Sequence, residues 1–344
     1  MKDQESVWIQ DNCLSVEVTT HCNSSCSHCF VRARGPRRSS LALDLVQAMV
    51  REGYEAGYRH LHVTGGEPLL WDSLLCIFDY AFALGYQTAF LNTNGTLLTD
   101  KVSRQLAAYR GLAVSVSLQG PRRLHDCIRG KGSYDRALKG IDNAMSAGLP
   151  VHIFTTVGRS LIPDLPHFAE RLFIALPDIK QLTFIQLIRV PADVFDLSKE
   201  VLTPDDFLRL VGMVSLLTLY GLKVDLLNNP LAAVASRVLK MPWVSRSPPL
   251  YQPGNVMITA ELHITLAHST TDDFGTYEPG ILSTIINSDN YCRVVSEDQL
   301  ICKSCEYFDF CRIEGMMKPS EWYRDMFQQV PYCRRVLAKA SSYG

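Results

Sequence analysis

A repeated alternation of short apolar runs with longer helical segments limits the fold of this chain more than any other feature. Six apolar runs predict strands, at residues 14–20, 60–64, 87–92, 112–118, 151–157 and 182–188, and 223–227 can form another. Helical patterns lie between them, at residues 43–56, 71–84, 100–109 and 133–147. Such alternation indicates a parallel sheet with crossover helices. Because six units are too few for an eight-fold barrel, we predict an α/β fold, a partial (β/α)6 TIM-like barrel with its active site at the C-terminal strand ends.

The composition excludes several classes of protein. Lys and Arg number 34 and Asp and Glu 35 among 344 residues, so the net charge gives no sign of a nucleic-acid or anionic-lipid partner. No run approaches the roughly 20 apolar residues of a membrane span, and the N-terminus does not resemble a signal peptide. We therefore expect a cytoplasmic protein. Reducing conditions there keep thiols free, so the 11 cysteines point first to metal binding.

A proline-rich segment marks a predicted domain boundary. MPWVSRSPPLYQPG, which begins at Met241, holds four prolines, and few helical signals follow it. The C-terminal part also contains five of the 11 cysteines. We predict a partial-barrel domain at residues 1–240 and a small cysteine-rich domain at residues 241–344.

Three cysteines follow the first predicted strand in C-x3-C-x2-C spacing, at Cys22, Cys26 and Cys29. Three thiolates can hold three irons of a cubane cluster and leave the fourth iron open to a small ligand. A zinc site that lacks one ligand is the alternative. With Phe30 after the last cysteine, the segment resembles the signature of the radical S-adenosylmethionine (SAM) superfamily.

The resemblance implies both the cofactors and the chemistry. In that family SAM chelates the open iron of a [4Fe–4S] cluster. An electron from the cluster then cleaves SAM to methionine and a 5′-deoxyadenosyl radical, which abstracts hydrogen from a substrate. An electron donor of the flavodoxin or ferredoxin type is implied as a partner.

Further segments resemble the family's pattern in order, each at a strand end. TGGEPLL resembles the GGEP motif, LNTNGT the TNG element, and VSVSLQGP the ribose-contacting S-x-D-G segment, although Gln119 replaces the usual acid. Two glycines allow a ligand to approach the backbone, and Glu67 can accept from an ammonium group. The resemblance covers about residues 13–230. The cofactor-binding residues it suggests are Gly65, Gly66, Glu67, Pro68, Asn94, Ser117 and Arg129, the last facing the SAM carboxylate.

A second cysteine cluster, C-x2-C-x5-C followed by one more cysteine, consists of Cys302, Cys305, Cys311 and Cys333. Its spacing fits a structural zinc site and a fully ligated iron–sulfur cluster equally well. Radical SAM enzymes with a SPASM domain carry this pattern as ligands of an auxiliary [4Fe–4S] cluster, and the resemblance favours that reading.

The family's second, inner auxiliary cluster is predicted to be lost. Gly315 occupies one expected ligand position, and the predicted hairpin YQPGNVMITAELHITLAH lacks cysteine. Tyr251 and His268 stand roughly where cysteines are expected. Cys292 could serve as a replacement ligand, although a buried small residue is the commoner role of a single thiol.

Several residues are candidates for the substrate pocket. His263, His268, Asp272 and Asp273 could line space near SAM, although a satisfied structural histidine is the commoner role for His263 and His268. Cys127 could donate a hydrogen atom. The candidates for the catalytic role are Cys127, His268 and Asp272. Arg32, Arg34, Arg37 and Arg38 could bind an acidic substrate or partner, or form a solvated loop.

The resemblance implies a SPASM-type maturase that modifies a peptide or protein or builds a peptide-derived cofactor. No peptide-recognition domain precedes the first strand, so a leader peptide would need a separate binding protein. The alternative is small-molecule chemistry in tetrapyrrole (haem) biosynthesis or metal-cofactor maturation. A third, non-enzymatic reading is an electron-transfer or scaffold protein with two clusters.

Overall fold

Nine strands form a single open sheet that organises the chain. The computed structural model describes residues 13–33, 39–188, 196–227, 229–241, 251–270, 272–296, 304–313 and 332–343. The strands are β1 Cys13–Glu17, β2 His60–Thr64, β3 Thr88–Thr93, β4 Leu112–Ser117, β5 Val151–Val157, β6 Gln181–Gln186, β7 Val224–Leu226, β8 Val256–Ile258 and β9 Ile264–Thr265. Their order across the sheet is β7-β6-β5-β4-β3-β2-β1-β8-β9. Strands β1 to β8 pair in parallel and β9 is antiparallel to β8.

The predicted strands are confirmed, including the one expected near residue 223. Helices connect them and cover the outer face of the sheet. Their bounds are α1 Phe30–Ala33, α2 Leu43–Glu55, α3 Leu74–Leu84, α4 Asp100–Ala107, α5 Arg122–Arg129, α6 Ser133–Ser146, α7 Leu165–Ala175, α8 Pro204–Leu219, α9 Pro230–Val238, α10 Leu282–Ile286, α11 Asp289–Ser296, α12 Phe308–Ile313 and α13 Tyr332–Ser341.

The two faces of the sheet differ in chemistry because side chains alternate along each strand. On β1, Leu14 and Val16 are fully buried in the main hydrophobic core, whereas Cys13 and Ser15 line an internal cavity. On β2, Leu61 and Val63 belong to that core, and His62 and Thr64 line the cavity. The outer face of the sheet therefore supplies the core, and the inner face carries polar groups.

The C-terminal segment extends the sheet. Strand β8 pairs with β1, with Leu14 opposite Val256, and the hairpin to β9 is the one the sequence predicts. The prediction of few helices after residue 241 is wrong, because α10 to α13 lie there. Tyr277 Oη donates to Glu52 Oε1 at 2.6 Å and so joins this segment to α2. Most of the predicted domain boundary falls in residues 242–250, outside the described residues.

No helix among the described residues is long and apolar enough to cross a membrane.

Candidate active site

A cavity of about 370 Å³ lies at the C-terminal ends of the parallel strands. Its walls include residues from the ends of β2 to β7 and from the loop after β1. Every cysteine of the first cluster lines it, and so do Gly65, Gly66, Asn94, Ser117 and Arg129. The structure thus brings together most of the residues that the sequence predicts for the first cluster and for SAM.

The cysteine loop is held to the segment after β2 by backbone contacts. The amide of Gly66 donates to the Thr19 carbonyl at 2.7 Å, and the amide of Glu67 donates to the His21 carbonyl at 2.8 Å. A Cβ on Gly65 would lie 2.4 Å from the Thr19 carbonyl oxygen, and one on Gly66 would lie 2.3 Å from that of His21. Besides lining the cavity, both glycines therefore allow the cysteine loop to pack closely, a role that the sequence analysis missed.

Glu67 lies beneath the cavity wall and is fully buried. Its carboxylate accepts from Thr93 Oγ1 at 2.7 Å and from the backbone amides of Asn94 and Leu69 at 2.8 and 3.2 Å. Burial raises the pKa of this carboxyl, and these three hydrogen bonds oppose the rise. Glu67 is absent from the cavity lining. The structure therefore places it as the link between the GGEP segment and the end of β3, and its predicted contact with an ammonium group stays a prediction.

Asn94 connects the end of β3 to the cysteine loop. Its Nδ2 donates to Asn23 Oδ1 at 2.7 Å, and its Oδ1 accepts from the amide and the hydroxyl of Thr96 at 2.9 and 2.6 Å. Asn23 Nδ2 in turn donates to Thr96 Oγ1 at 2.9 Å. This closed set of hydrogen bonds orders the residue that follows Cys22.

The segment after β4 supplies the cationic group of the described lining. Arg129 ends α5, and its buried Nε has no hydrogen-bond partner among the described residues. An anionic group in the cavity would satisfy it. Gln119 stands where the family has an acid. Its side-chain oxygen accepts from the backbone amide of Thr156 at 2.7 Å, and its backbone amide donates to His125 Nδ1 at 3.0 Å. Gln119 therefore joins the β4 loop to β5.

The arrangement of the three cysteines is compatible with a cubane cluster. Within the described ranges, no three His, Cys, Asp or Glu side chains are arranged to hold one metal ion. In a cubane each thiolate binds a different iron, so the three sulfurs need not converge on one point. Although Cys22 is exposed, partial desolvation by the surrounding chain raises the pKa of its thiol to about 11, and a bound cation would stabilise its thiolate.

Not all predicted pocket residues reach the cavity. His268 lines it, whereas His263, Asp272 and Asp273 are absent from its described lining. His263 forms an exposed pair with Asp273 at 2.9 Å, and Asp272 accepts from the Tyr251 hydroxyl at 3.0 Å.

Two other predicted cysteines lie on the surface. Cys127 is exposed on α5, and it does not line the cavity. Cys292 is also exposed, on α11.

The second cysteine cluster is partly described. Cys302 and Gly315 lie outside the described residues, as do Arg34, Arg37 and Arg38; Arg32 lies in α1. Cys311 and Cys333 are half-buried against the main core, and α12 and α13 both pack on α9. Arg334 donates to Ser304 Oγ at 3.0 Å, and so the segments that carry Cys305 and Cys333 meet.

The parallel α/β partial barrel and the three cysteines beyond its first strand together are typical of one class of enzyme. Comparison with known proteins shows which class this is. Residues 16–172 match the Radical SAM superfamily. These residues make up a little under half of the chain, and the domain that they match is one that uses a [4Fe–4S] cluster and SAM.

Curated relatives share this domain. The chain is 33% identical over 157 residues to the AdoMet-dependent heme synthase of Oleidesulfovibrio alaskensis, covering 45% of this chain and 39% of that protein. It is 32% identical over 161 residues to the mycofactocin maturase MftC of Mycolicibacterium smegmatis, covering 46% and 40%. The alignments thus span about two fifths of these relatives.

Solved structures share the fold along most of the chain. Native anSMEcpe with bound AdoMet superposes with a TM-score of 0.68 at 15% identity, covering 96% of this chain and 100% of that one. Streptococcus suis SuiB bound to S-adenosylmethionine gives 0.66 at 15% identity, covering 87% and 72%. The likeness in fold extends past the family match into the C-terminal segment.

Proposed function

We propose that this chain binds a [4Fe–4S] cluster through Cys22, Cys26 and Cys29 and reductively cleaves SAM to abstract hydrogen from a peptide or protein. The observation that carries the proposal is the convergence of these cysteines, Arg129 and Ser117 on one cavity. When bound, the cluster supplies the electron that cleaves SAM to methionine and a 5′-deoxyadenosyl radical.

The chain's own residues position the cofactors. The Arg129 guanidinium, with its buried Nε, is suited to bind the SAM carboxylate, and the Ser117 hydroxyl can contact the ribose. Asn94 and the Gly65–Gly66 backbone hold the cysteine loop against the strand ends. Apolar residues of the lining, such as Phe90, exclude water from the cavity.

A peptide substrate is supported by the charge of the cavity. Its described lining contains no lysine, and Arg129 is the single arginine there. A tetrapyrrole with several carboxylates would need several cations, since buried carboxylates require charged partners. Relatives of the same fold have been solved with peptides, anSMEcpe with Kp18Cys and SuiB with its precursor SuiA. Because one relative is a haem synthase, tetrapyrrole chemistry is the alternative to a peptide substrate.

Cys305, Cys311 and Cys333, with Cys302, are proposed to hold one auxiliary [4Fe–4S] cluster. The contact between Ser304 and Arg334 supports this by bringing two of the ligand segments together. A fully ligated cluster there can relay electrons. A flavodoxin or ferredoxin is the proposed electron donor.

The test is anaerobic reconstitution of the full chain followed by reduction with dithionite. We expect about eight irons per chain for two clusters and formation of 5′-deoxyadenosine. Cys26→Ala should abolish this cleavage, whereas Cys76→Ala, on the exposed side of α3, should not. No 5′-deoxyadenosine from iron-replete wild type would refute the proposal and favour an electron-transfer or scaffold protein. Mass spectrometry of incubated peptides and iron tetrapyrroles then separates the two substrate classes.

A further inference from the structure

A buried glutamate meets a histidine of the C-terminal segment at the wall of the cavity. Glu17, the last residue of β1, is fully buried, and its Oε2 lies 3.1 Å from Nδ1 of His268. The backbone amide of Ala260 donates to the other carboxylate oxygen at 3.4 Å. His268 lines the cavity, and 21% of its side chain stays exposed. The imidazole is therefore the member of the pair that a ligand can reach.

The position of the carboxylate favours one arrangement of the proton on the ring. Because Nδ1 lies 3.1 Å from the Glu17 carboxylate, the tautomer with its proton on Nδ1 and a lone pair on Nε2 is the favoured one. Nε2 faces the hydroxyl of Thr64 at 3.4 Å, and Thr64 also lines the cavity. A carboxylate in this position holds the ring in one tautomer and stabilises the imidazolium that forms on proton uptake.

Other titratable groups of the wall are poor proton acceptors near pH 7. Burial, together with the nearby His268, lowers the pKa of His62 to about 4, so His62 stays neutral near pH 7. Burial raises the pKa of the Cys13 thiol to about 12. His28 lies between two of the proposed cluster ligands. No Asp or Glu is among the described residues that line the cavity.

We propose that His268, positioned by Glu17, accepts a proton from the substrate, an inference that rests on the proposed function. In this step an O–H or N–H bond of the substrate breaks, the proton bonds to Nε2, and the electron pair stays on the substrate heteroatom. The Glu17 carboxylate balances the charge of the imidazolium. The ligand class is a substrate that presents a hydroxyl, phenol or amide hydrogen to this wall.

The test replaces Glu17 by glutamine and measures acylation of His268 by diethyl pyrocarbonate, which attacks an unprotonated imidazole nitrogen. In Glu17→Gln the side-chain oxygen still accepts the hydrogen bond from the Ala260 amide, so the side-chain NH2 group faces Nδ1. An NH2 group only donates, and the ring proton must then lie on Nε2. Because the wrong tautomer of a carboxylate-backed histidine costs orders of magnitude in reactivity, we expect the acylation rate of His268 to fall at least about tenfold. His263, paired with Asp273 on the surface, is the reference within each sample.

Peptide mass spectrometry of the reconstituted full-length protein gives the result. Equal acylation of His268 in wild type and Glu17→Gln would overturn the proposal. If the variant does not fold, Thr64→Val tests the other nitrogen. Removal of the hydroxyl opposite Nε2 should raise acylation of His268, and an unchanged rate would contradict the assignment.

SAM cleavage by wild type, measured in the same preparation, separates this inference from the proposed function. A tenfold contrast in acylation without SAM cleavage refutes the proposed function and, with it, the substrate step, but leaves the positioning of His268 by Glu17 intact. If SAM is cleaved but the acylation rates do not differ, the proposed positioning of His268 by Glu17 is refuted and the proposed function stands.

Discussion

Replacing Gly66 by alanine tests whether close backbone packing holds the cysteine loop. A Cβ on Gly66 would lie 2.3 Å from the carbonyl oxygen of His21 and 2.7 Å from its carbon. Carbon atoms in contact prefer about 3.5–4.0 Å, so this carbonyl must move by about 1 Å. It belongs to the residue directly before Cys22. Gly66 does not have a positive φ, and the expected effect therefore comes from lack of space alone.

The size of the effect follows from the same contacts. The two backbone hydrogen bonds at this junction contribute about 0.5–1.5 kcal/mol each, and overpacking typically costs about 1–3 kcal/mol. Because Gly66→Ala need not break both bonds completely, we expect the free energy of unfolding to fall by about 2–4 kcal/mol. The displaced loop should also fail to retain its cluster, lowering bound iron from about eight to about four per chain.

Urea titration of the full-length protein and iron analysis after anaerobic reconstitution measure the two effects. Gly212→Ala is the matched control. Gly212 lies within α8, has no positive φ, and its Cβ would meet Met241 at an ordinary 3.5 Å. Alanine there should stabilise the helix by about 0.5–1 kcal/mol. Gly66→Ala with wild-type stability and iron content would show that this packing does not hold the loop.

Three further predictions concern other parts of the chain. Burial lowers the pKa of His152 to about 3, so the folded state keeps this ring neutral and loses stability as the pH falls from about 6.5 towards 3, by about 1.4 kcal/mol per unit. His152→Phe should lose less stability than wild type in urea titrations over that range, and equal slopes would exclude the effect. Asn94→Ala should lower reconstituted iron by about half because it releases the cysteine loop, whereas Asn143→Ala, which removes one bond to the Leu98 carbonyl, should retain it. Cys333→Ser should lower bound iron by about four per chain, and loss of zinc instead would identify a structural zinc site.

The sequence predicts most of the sheet and the contents of the cavity. Strands β2 and β5 have the predicted bounds, because apolar runs between turn residues mark them sharply. The three cysteines of the first cluster reach the cavity, and so do Asn94, Ser117 and Arg129, since the C-terminal ends of parallel strands meet at one edge.

Contacts between distant segments could not be predicted in this way. The pairing of Glu17 with His268 depends on β8 adding to β1, and no local pattern encodes the partner of an edge strand. The alternation of Ser15 and Glu17 with Leu14 and Val16 was a readable signal of a polar inner face. The exposure of Cys127 depends on the direction of α5. The position of Cys127 in the sequence, close to β4, does not reveal that direction.

The pairing of β1 with β8 also has a consequence for biosynthesis. One edge of β1 stays open until Val256 has been synthesised, about 240 residues after Leu14. Such distant pairing forms late during folding, and an open strand edge can join another chain in the meantime. We therefore expect nascent chains truncated before residue 256 to aggregate, and iron delivered during translation to bind less well than iron delivered after release. Cluster assembly would then be a late, post-translational event in the life of this protein.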